Sequence, residues 1–413
     1  MRRPASSLSL LVLVSFAACA SRPDHGDAQV QDNPAVPYDG GTEGTFCALP
    51  DPAPLPSSVT VPEGFCIRRF ARVGHPRVLA FAPNGDLFVA SPSSIGPGGT
   101  GPGLGAIVVF PDDNRDGVGD APQQFLAGVD SVHGLLFDGA SLYYTVQNGV
   151  FRTPYTVGSR RAVAAHGASE RVADLSDSIR WTHTLARATD GSLYVSMGQH
   201  DSSTCPSPNP RAGAVLRIGP GMPPNGARVI DGLRNPMYLR CKEWGACYAA
   251  ELTHDGWTQY GGVEKLVQIR QGDTYGFPCC IDRDRTWSGT PRGYDCGRVA
   301  ESVQTYPLHD TPFGFDWAPS TWPAPYNGAF FVGLHGEVGS WRNTGVQWAP
   351  VDPTTHRPTR PTVFFVTNWG RNGGIQGRVA DLVFAPDGRL FFSDDQDGAI
   401  YWIAPRSLRI PER

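Results

Sequence analysis

Residues 78–91 read "VLAFAPNGDLFVAS", an apolar run, an Asn-Gly turn at Asn84-Gly85 and a second apolar run. Asn-Gly supplies the positive φ angles that a tight hairpin needs. The design recurs at "GLLFDGASLYYTV" (134–146, Asp138-Gly139), "TLARATDGSLYVSM" (184–197, Asp190-Gly191) and "DLVFAPDGRLFFSD" (381–394, Asp387-Gly388). Two divergent copies fall between, "NPMYLRCKEWGACYAAE" (235–251) with a turn at Glu243 to Ala246, and "FGFDWAPSTWPAPYNGAFFVG" (313–333) with a longer loop. The first three turns are spaced by 54 and 52 residues, and no helical pattern intervenes. A period near fifty built from hairpins predicts an all-β, six-bladed β-propeller over residues 46–408. Closing the ring hides edges that six separate sheets would expose. "FCIRRFAR" (65–72), ahead of the first hairpin, is expected to complete the last blade after "AIYWIA" (399–404).

Composition agrees. The 413 residues include 49 Gly and 38 Pro, scattered rather than clustered, as in a turn-rich β protein. A net charge of −4 with dispersed Lys and Arg argues against nucleic acid as a partner.

Residues 1–19 read as a targeting segment: basic "MRR", an apolar stretch from Leu8 to Phe16, then "FAAC" ending at Cys19. Small residues before a cysteine predict a lipoprotein signal peptide with Cys19 lipidated; the alternative is cleavage after "ACA". Both imply export, and the first places the chain on the bacterial cell envelope, touching membrane through the lipid only. The polar segment 20–45 reads as a flexible linker. The other eight cysteines, an even number in an exported chain, suggest disulfides. Cys241 with Cys247 could close a local loop, and Cys47 could pair with Cys66; the remaining connectivity is open because Cys279 and Cys280 are adjacent.

Several clusters could carry chemistry. In "PDDNRDGVGDAP" (111–122), Asp112, Asn114, Asp116 and Asp120 follow the D-x-N-x-D-G spacing of a calcium loop, with the Val118 carbonyl in reach. Position twelve is Gln123 rather than Glu, so a solvated acidic turn is the alternative. His133, His183, His309 and His335 each lie near an end of a predicted strand and could converge on the axis. "GPGGTGPGLG" (96–105) lacks the spacing and following helix of a phosphate cradle.

Together "GLRNP" (232–236), "YGFPCC" (275–280), "HDTPFGF" (309–315), "HGEVGSWRNTG" (335–345) and "GRVADLVFAPDGRLFFSDD" (377–395) resemble, in order, the glucose/sorbosone dehydrogenase family of soluble quinoproteins. The resemblance implies a six-bladed propeller holding pyrroloquinoline quinone (PQQ) and calcium over its central face. It also implies a histidine base that takes the C1 hydroxyl proton of a sugar as hydride passes to the quinone. Arg234, Asn235 and Arg378 match cofactor-facing positions; a second family arginine is Ala380 here. The family lysine before "HGEVGSW" is replaced, with His335 nearest in register. The position of the family's catalytic histidine holds Arg180, and His183 sits three residues on, so His183 is the expected base and Arg180 a cofactor contact. Glu264 and the Tyr275 carbonyl resemble a structural calcium site, completed by Asp282 or Asp284, although Val263 replaces an acidic residue.

The expected function is therefore an exported, PQQ- and calcium-dependent dehydrogenase that oxidises an aldose or related sugar and passes electrons to an unidentified acceptor. The alternative is a non-catalytic, lipid-anchored propeller that binds sugars or a protein partner. An outward-facing His183 would favour that alternative. Metal-dependent lactone hydrolysis is a third reading, and would need Glu251, Asp255 and Asp394 to converge.

Overall fold

A computed structural model describes residues 44–93, 103–199, 204–287, 289–337, 343–370 and 375–411. Cys19, the expected signal segment 1–19 and most of the expected linker 20–45 lie outside them. The described strands form six four-stranded antiparallel sheets, the six blades of a propeller. The inner strands are Leu79–Phe81, Leu135–Asp138, Leu185–Arg187, Asn235–Cys241, Pro312–Trp317 and Val379–Phe384, and each blade runs outward from there in chain order. The sixth blade is completed by Phe65–Arg72, which pairs with Ala399–Pro405 as the sequence suggests. The ring is thus closed by strand from both ends of the chain, reinforced by the Thr45–Arg409 bridge.

The turns differ in detail from the two-residue hairpins expected. Ala82, Ala188, Lys242 and Ala385 each donate N–H to the carbonyl four residues on, and each carbonyl accepts from a glycine three residues on. These are three-residue loops in which only the glycine (Gly85, Gly191, Gly245, Gly388; φ +84° to +91°) takes the left-handed conformation. The divergent fourth copy shares this geometry, so its kinship is structural although its sequence has drifted. In the second blade Asp138 pairs with Ser141, which moves the turn to Gly139-Ala140.

Between blades the contacts are aromatic and aliphatic, with Phe88, Tyr144, Phe315 and Phe330 among the fully buried side chains. Polar staples recur at the axis. Thr145 Oγ1 donates to His183 O (2.7 Å), and Ser393 Oγ donates to Arg77 O (2.7 Å). Gly314 is required where the fifth and sixth inner strands meet, because a Cβ there would lie 2.2 Å from Leu382 N. Four disulfides are present: Cys47–Cys66, Cys205–Cys279, Cys241–Cys247 and Cys280–Cys296. Such bridges belong to an oxidising compartment. No helix among the described residues is long and apolar enough to cross a membrane.

Candidate functional site at the axis

The antiparallel blades bring two sets of residues to one end of the ring: those entering the inner strands and those leaving the second strands. Arg77, His133, Trp181, Arg234 and Arg378 belong to the first set, and Gln199, His335 and Asp395 to the second. A cavity of about 330 Å³ rises from the opposite end between the inner strands and reaches Thr184, Tyr238 and Asp381.

At the entry end a polar cluster packs around the axis. Asp395 accepts from His335 Nε2 at 3.0 Å and pairs with Arg77 Nη2 at 2.9 Å. Phe313 stacks on the His335 ring with centroids 4.1 Å apart. Arg77 lies over Trp181 at 5.3 Å, and His133 meets Trp181 edge-on at 5.3 Å. Tyr238 bridges His133 and Phe313, completing an aromatic wall. Arg378 donates from Nε to His335 O and from Nη2 to Gly336 O, fixing the loop that carries His335.

Five side chains of this cluster have buried polar atoms without a hydrogen-bond partner among the described residues: both ring nitrogens of His75, Arg77 Nε, His133 Nε2, Tyr238 OH and His335 Nδ1. Buried polar groups are almost always satisfied, so such a concentration marks a place suited to a polar ligand or water. Burial and charge together set the protonation states. Burial lowers the pKa of His75 to about 4, and burial with Arg77 lowers His133 to about 3. Burial and Arg378 lower His335 to about 3. Burial alone would raise Asp395, but Arg77, His335 and Arg378 hold it well below the usual carboxylate range. The cluster thus presents neutral imidazoles and a fixed carboxylate between guanidinium groups.

The structure places the expected residues unevenly. Arg234 is buried, donating from Nη1 to Thr253 O (2.8 Å), while its N–H and that of Asn235 reach the two oxygens of Glu251. Asn235 Oδ1 accepts from Thr182 Oγ1. Arg180 lies at the mouth, donating from Nε to Gln199 O. His183 needs correction as the expected base. Its ring is fully buried between the second and third blades, with Nδ1 2.7 Å from Ser196 O and Nε2 3.2 Å from Gln147 O. A neutral imidazole has one N–H, which the shorter contact takes, and the remaining nitrogen faces a carbonyl rather than a substrate. Sequence reasoning passed over His75, Arg77, Trp181, Tyr238 and Asp395. A signal for Arg77 exists: Arg77, His133 and His183 each stand two residues before the leucine that opens an inner strand.

The metal expectations are not met as stated. Glu264 and Lys265 are neighbours on one strand, so their side chains leave opposite faces. Glu264 accepts from Thr253 N and His309 N, whereas the Tyr275 carbonyl is met by Lys265 Nζ. Glu264 and the Tyr275 carbonyl therefore do not form one calcium site. In the acidic loop, Asp112 lies beside Arg389 (3.6 Å), Asp120 accepts from Asp113 N, and Asp116 accepts from Asn114 Nδ2 and Val118 N. Burial raises the Asp112 pKa to about 7. Asp116 and Asp120 are thus engaged by backbone N–H groups and by Asn114, while Asp112 Oδ1 is buried without a hydrogen-bond partner among the described residues. Asp394 is held by Trp369 Nε1 in the sixth blade, away from Glu251 in the fourth. Among the described residues no group of three or more His, Cys, Asp or Glu could hold a metal ion.

The ring matches the structure of the Trichoderma reesei Carbohydrate-Active Enzymes Family AA12 protein with TM-score 0.69 at 18% identity, over 86% of this chain and 99% of that one. It matches the holo form of the pyranose dehydrogenase PQQ domain from Coprinopsis cinerea with TM-score 0.68 at 16% identity, over 86% and 99%. The PQQ-bound aldose sugar dehydrogenase from Streptomyces coelicolor gives 0.55 at 17% identity, over 84% and 100%. This chain has the fold of the PQQ-dependent sugar dehydrogenases. No protein-family model and no curated protein matches its sequence. At the entry end Arg77 and Arg378 lie beside unpartnered buried polar atoms, a donor set that suits an anionic ligand.

Proposed function

We propose that the chain is an exported quinoprotein that oxidises an aldose or related sugar at C1, with PQQ and calcium at the entry end of the axis. The observation that carries this reading is the set of unpartnered buried polar atoms among guanidinium groups and aromatic rings. PQQ would supply the hydride acceptor; its three carboxylates would be met by Arg77, Arg180, Arg234 and Arg378, with Asn235 beside them.

The base in this reading is His335. Asp395, an acceptor, keeps the proton on Nε2 and leaves the Nδ1 lone pair to take the sugar hydroxyl proton. Stacking on Phe313 fixes the ring plane. Anionic charge near Arg378 would offset the guanidinium that depresses His335, making the imidazole a stronger base when the site is loaded. The four disulfides fit export, and Cys19 would tether the chain to the cell envelope by lipid.

A second reading, a non-catalytic propeller that binds sugars or a partner, is favoured by His183 being sealed between blades. The test is titration of PQQ with calcium into residues 20–413, followed by an aldose panel with a redox dye. Binding with sugar-dependent dye reduction, lost in His335→Asn, supports the enzyme. No binding at micromolar PQQ overturns it and leaves the second reading.

A further inference from the structure

Lys265 sits where the resemblance puts a structural calcium ion. Its Nζ donates to Tyr275 O at 3.0 Å and to Ile281 O at 3.1 Å, and the side chain is buried at 5% exposure. Strand alternation aims it there. Lys265 pairs directly with Glu251 on the adjacent strand, so both side chains leave the same face of the fourth blade. The Glu251 carboxylate in turn accepts the N–H groups of Arg234 and Asn235. The ammonium therefore stands near the junction of two loops: it donates to carbonyls of the 275–281 loop, and it shares a blade face with Glu251, which holds the 232–236 loop. The loops also touch, since Phe277 donates to Gly232 O, and a Cβ on Gly232 would lie 2.5 Å from Gly276 N.

Calcium organises loops in this way, gathering carbonyl and carboxylate oxygens around one positive centre. We propose that the Lys265 ammonium is a built-in replacement for that ion, so the loop carrying Arg234 and Asn235 is held without metal at this position. Two cations cannot share the Tyr275 and Ile281 carbonyls, because their charges would lie within a few ångströms in a buried setting. Lysine and calcium are thus mutually exclusive here. The inference is independent of whether the axial cluster takes a quinone.

The test uses residues 20–413 as wild type, Lys265→Met and Lys265→Glu, with bound calcium counted after equilibrium dialysis and Tm read in calcium or in EDTA. Lys265→Met is expected to lower Tm by about 5 °C or more in both media, since it leaves the buried Tyr275 and Ile281 carbonyls without their donor and removes a positive charge near Glu251. Lys265→Glu adds a carboxylate to the carbonyl set; it should bind one more calcium per chain than wild type and regain most of its lost Tm only in calcium. Other calcium sites cancel in this difference. If Lys265→Met is as stable as wild type, or removes a calcium that wild type binds, the proposal fails. It also fails if Lys265→Glu folds but gains neither calcium nor calcium-dependent stability. If Lys265→Glu does not fold even in calcium, the Lys265→Met stability and calcium count decide.

Discussion

Asp395 receives His335 Nε2 at 3.0 Å on one side and Arg77 Nη2 at 2.9 Å on the other, and all three are nearly inaccessible. Removing one charge of such a pair strands the other. Arg77→Met should therefore destabilise the chain by about 3–5 kcal/mol. Adding Asp395→Asn should return part of that loss, because the stranded charge is gone. Denaturant unfolding of the two variants and wild type measures the coupling; strictly additive losses would refute it.

The axial histidines make stability fall in mild acid. Folded, His75 resists protonation down to about pH 4, and His133 and His335 down to about pH 3, chiefly through burial. Unfolded, each takes up a proton below about pH 6.5. Their folded pKa values are depressed, so this contribution is complete above about 6.5 and is lost as pH falls toward 4 and below. Replacing His133 with Asn should flatten the dependence of unfolding free energy on pH between 4.5 and 6 by about 1.4 kcal/mol per pH unit. Unfolding curves at several pH values, or imidazole ¹⁵N shifts that stay neutral at pH 5, check this.

His183 and His335 should separate stability from function. His183→Ala leaves Ser196 O and Gln147 O without their contacts and opens a cavity between blades, costing about 2–3 kcal/mol. It should leave PQQ affinity within a few-fold of wild type. His335→Asn should abolish sugar-dependent dye reduction while the chain still binds PQQ. The opposite pattern would return the base to His183.

The two disulfide types should differ in worth. Cys205–Cys279 closes 74 residues and Cys241–Cys247 only 6. Loop-closure entropy assigns about 4 kcal/mol to the first and about 2 kcal/mol to the second. Cys205→Ser/Cys279→Ser should thus lose about twice as much unfolding free energy as Cys241→Ser/Cys247→Ser. Equal losses would mean that local packing outweighs the constraint on the unfolded chain.

The fold was legible because its signals are local. Alternating apolar runs with Gly85, Gly191 and Gly388 mark hairpins wherever they lie in space, and their period reveals the ring. The site was less so, because strand entry residues are brought together only by closure. Arg77 and Asp395 are 318 residues apart in sequence yet share a salt bridge, and no local pattern announces it. His183 shows the other difficulty. It shares its offset from the strand with Arg77 and His133, but its ring turns between blades, where Nδ1–H donates to Ser196 O and Nε2 lies beside Gln147 O. Lys265 is a register effect: one step along a strand exchanges the face that meets Tyr275, so Glu264 could not reach it.

Closure itself can be tested at the seam. Phe65–Arg72 is the outer strand of the sixth blade and covers Ala399–Pro405, whose residues are all buried. It is pinned by Cys47–Cys66, and Phe65 inserts among Trp322, Tyr326 and Phe365 of the fifth blade. A chain beginning at residue 44 keeps all of this and should unfold as the longer chain does. A chain beginning at residue 74 leaves the hydrogen-bonding edge of Ala399–Pro405 open, with Phe391 and Tyr401 near it, and such edges recruit other strands. It should elute as oligomers or aggregate, and residues 44–73 supplied as a peptide should restore the monomer. Size-exclusion chromatography with light scattering reads the outcome. A monomeric, stable chain from residue 74 would show that the seam strand covers the ring without being needed to close it.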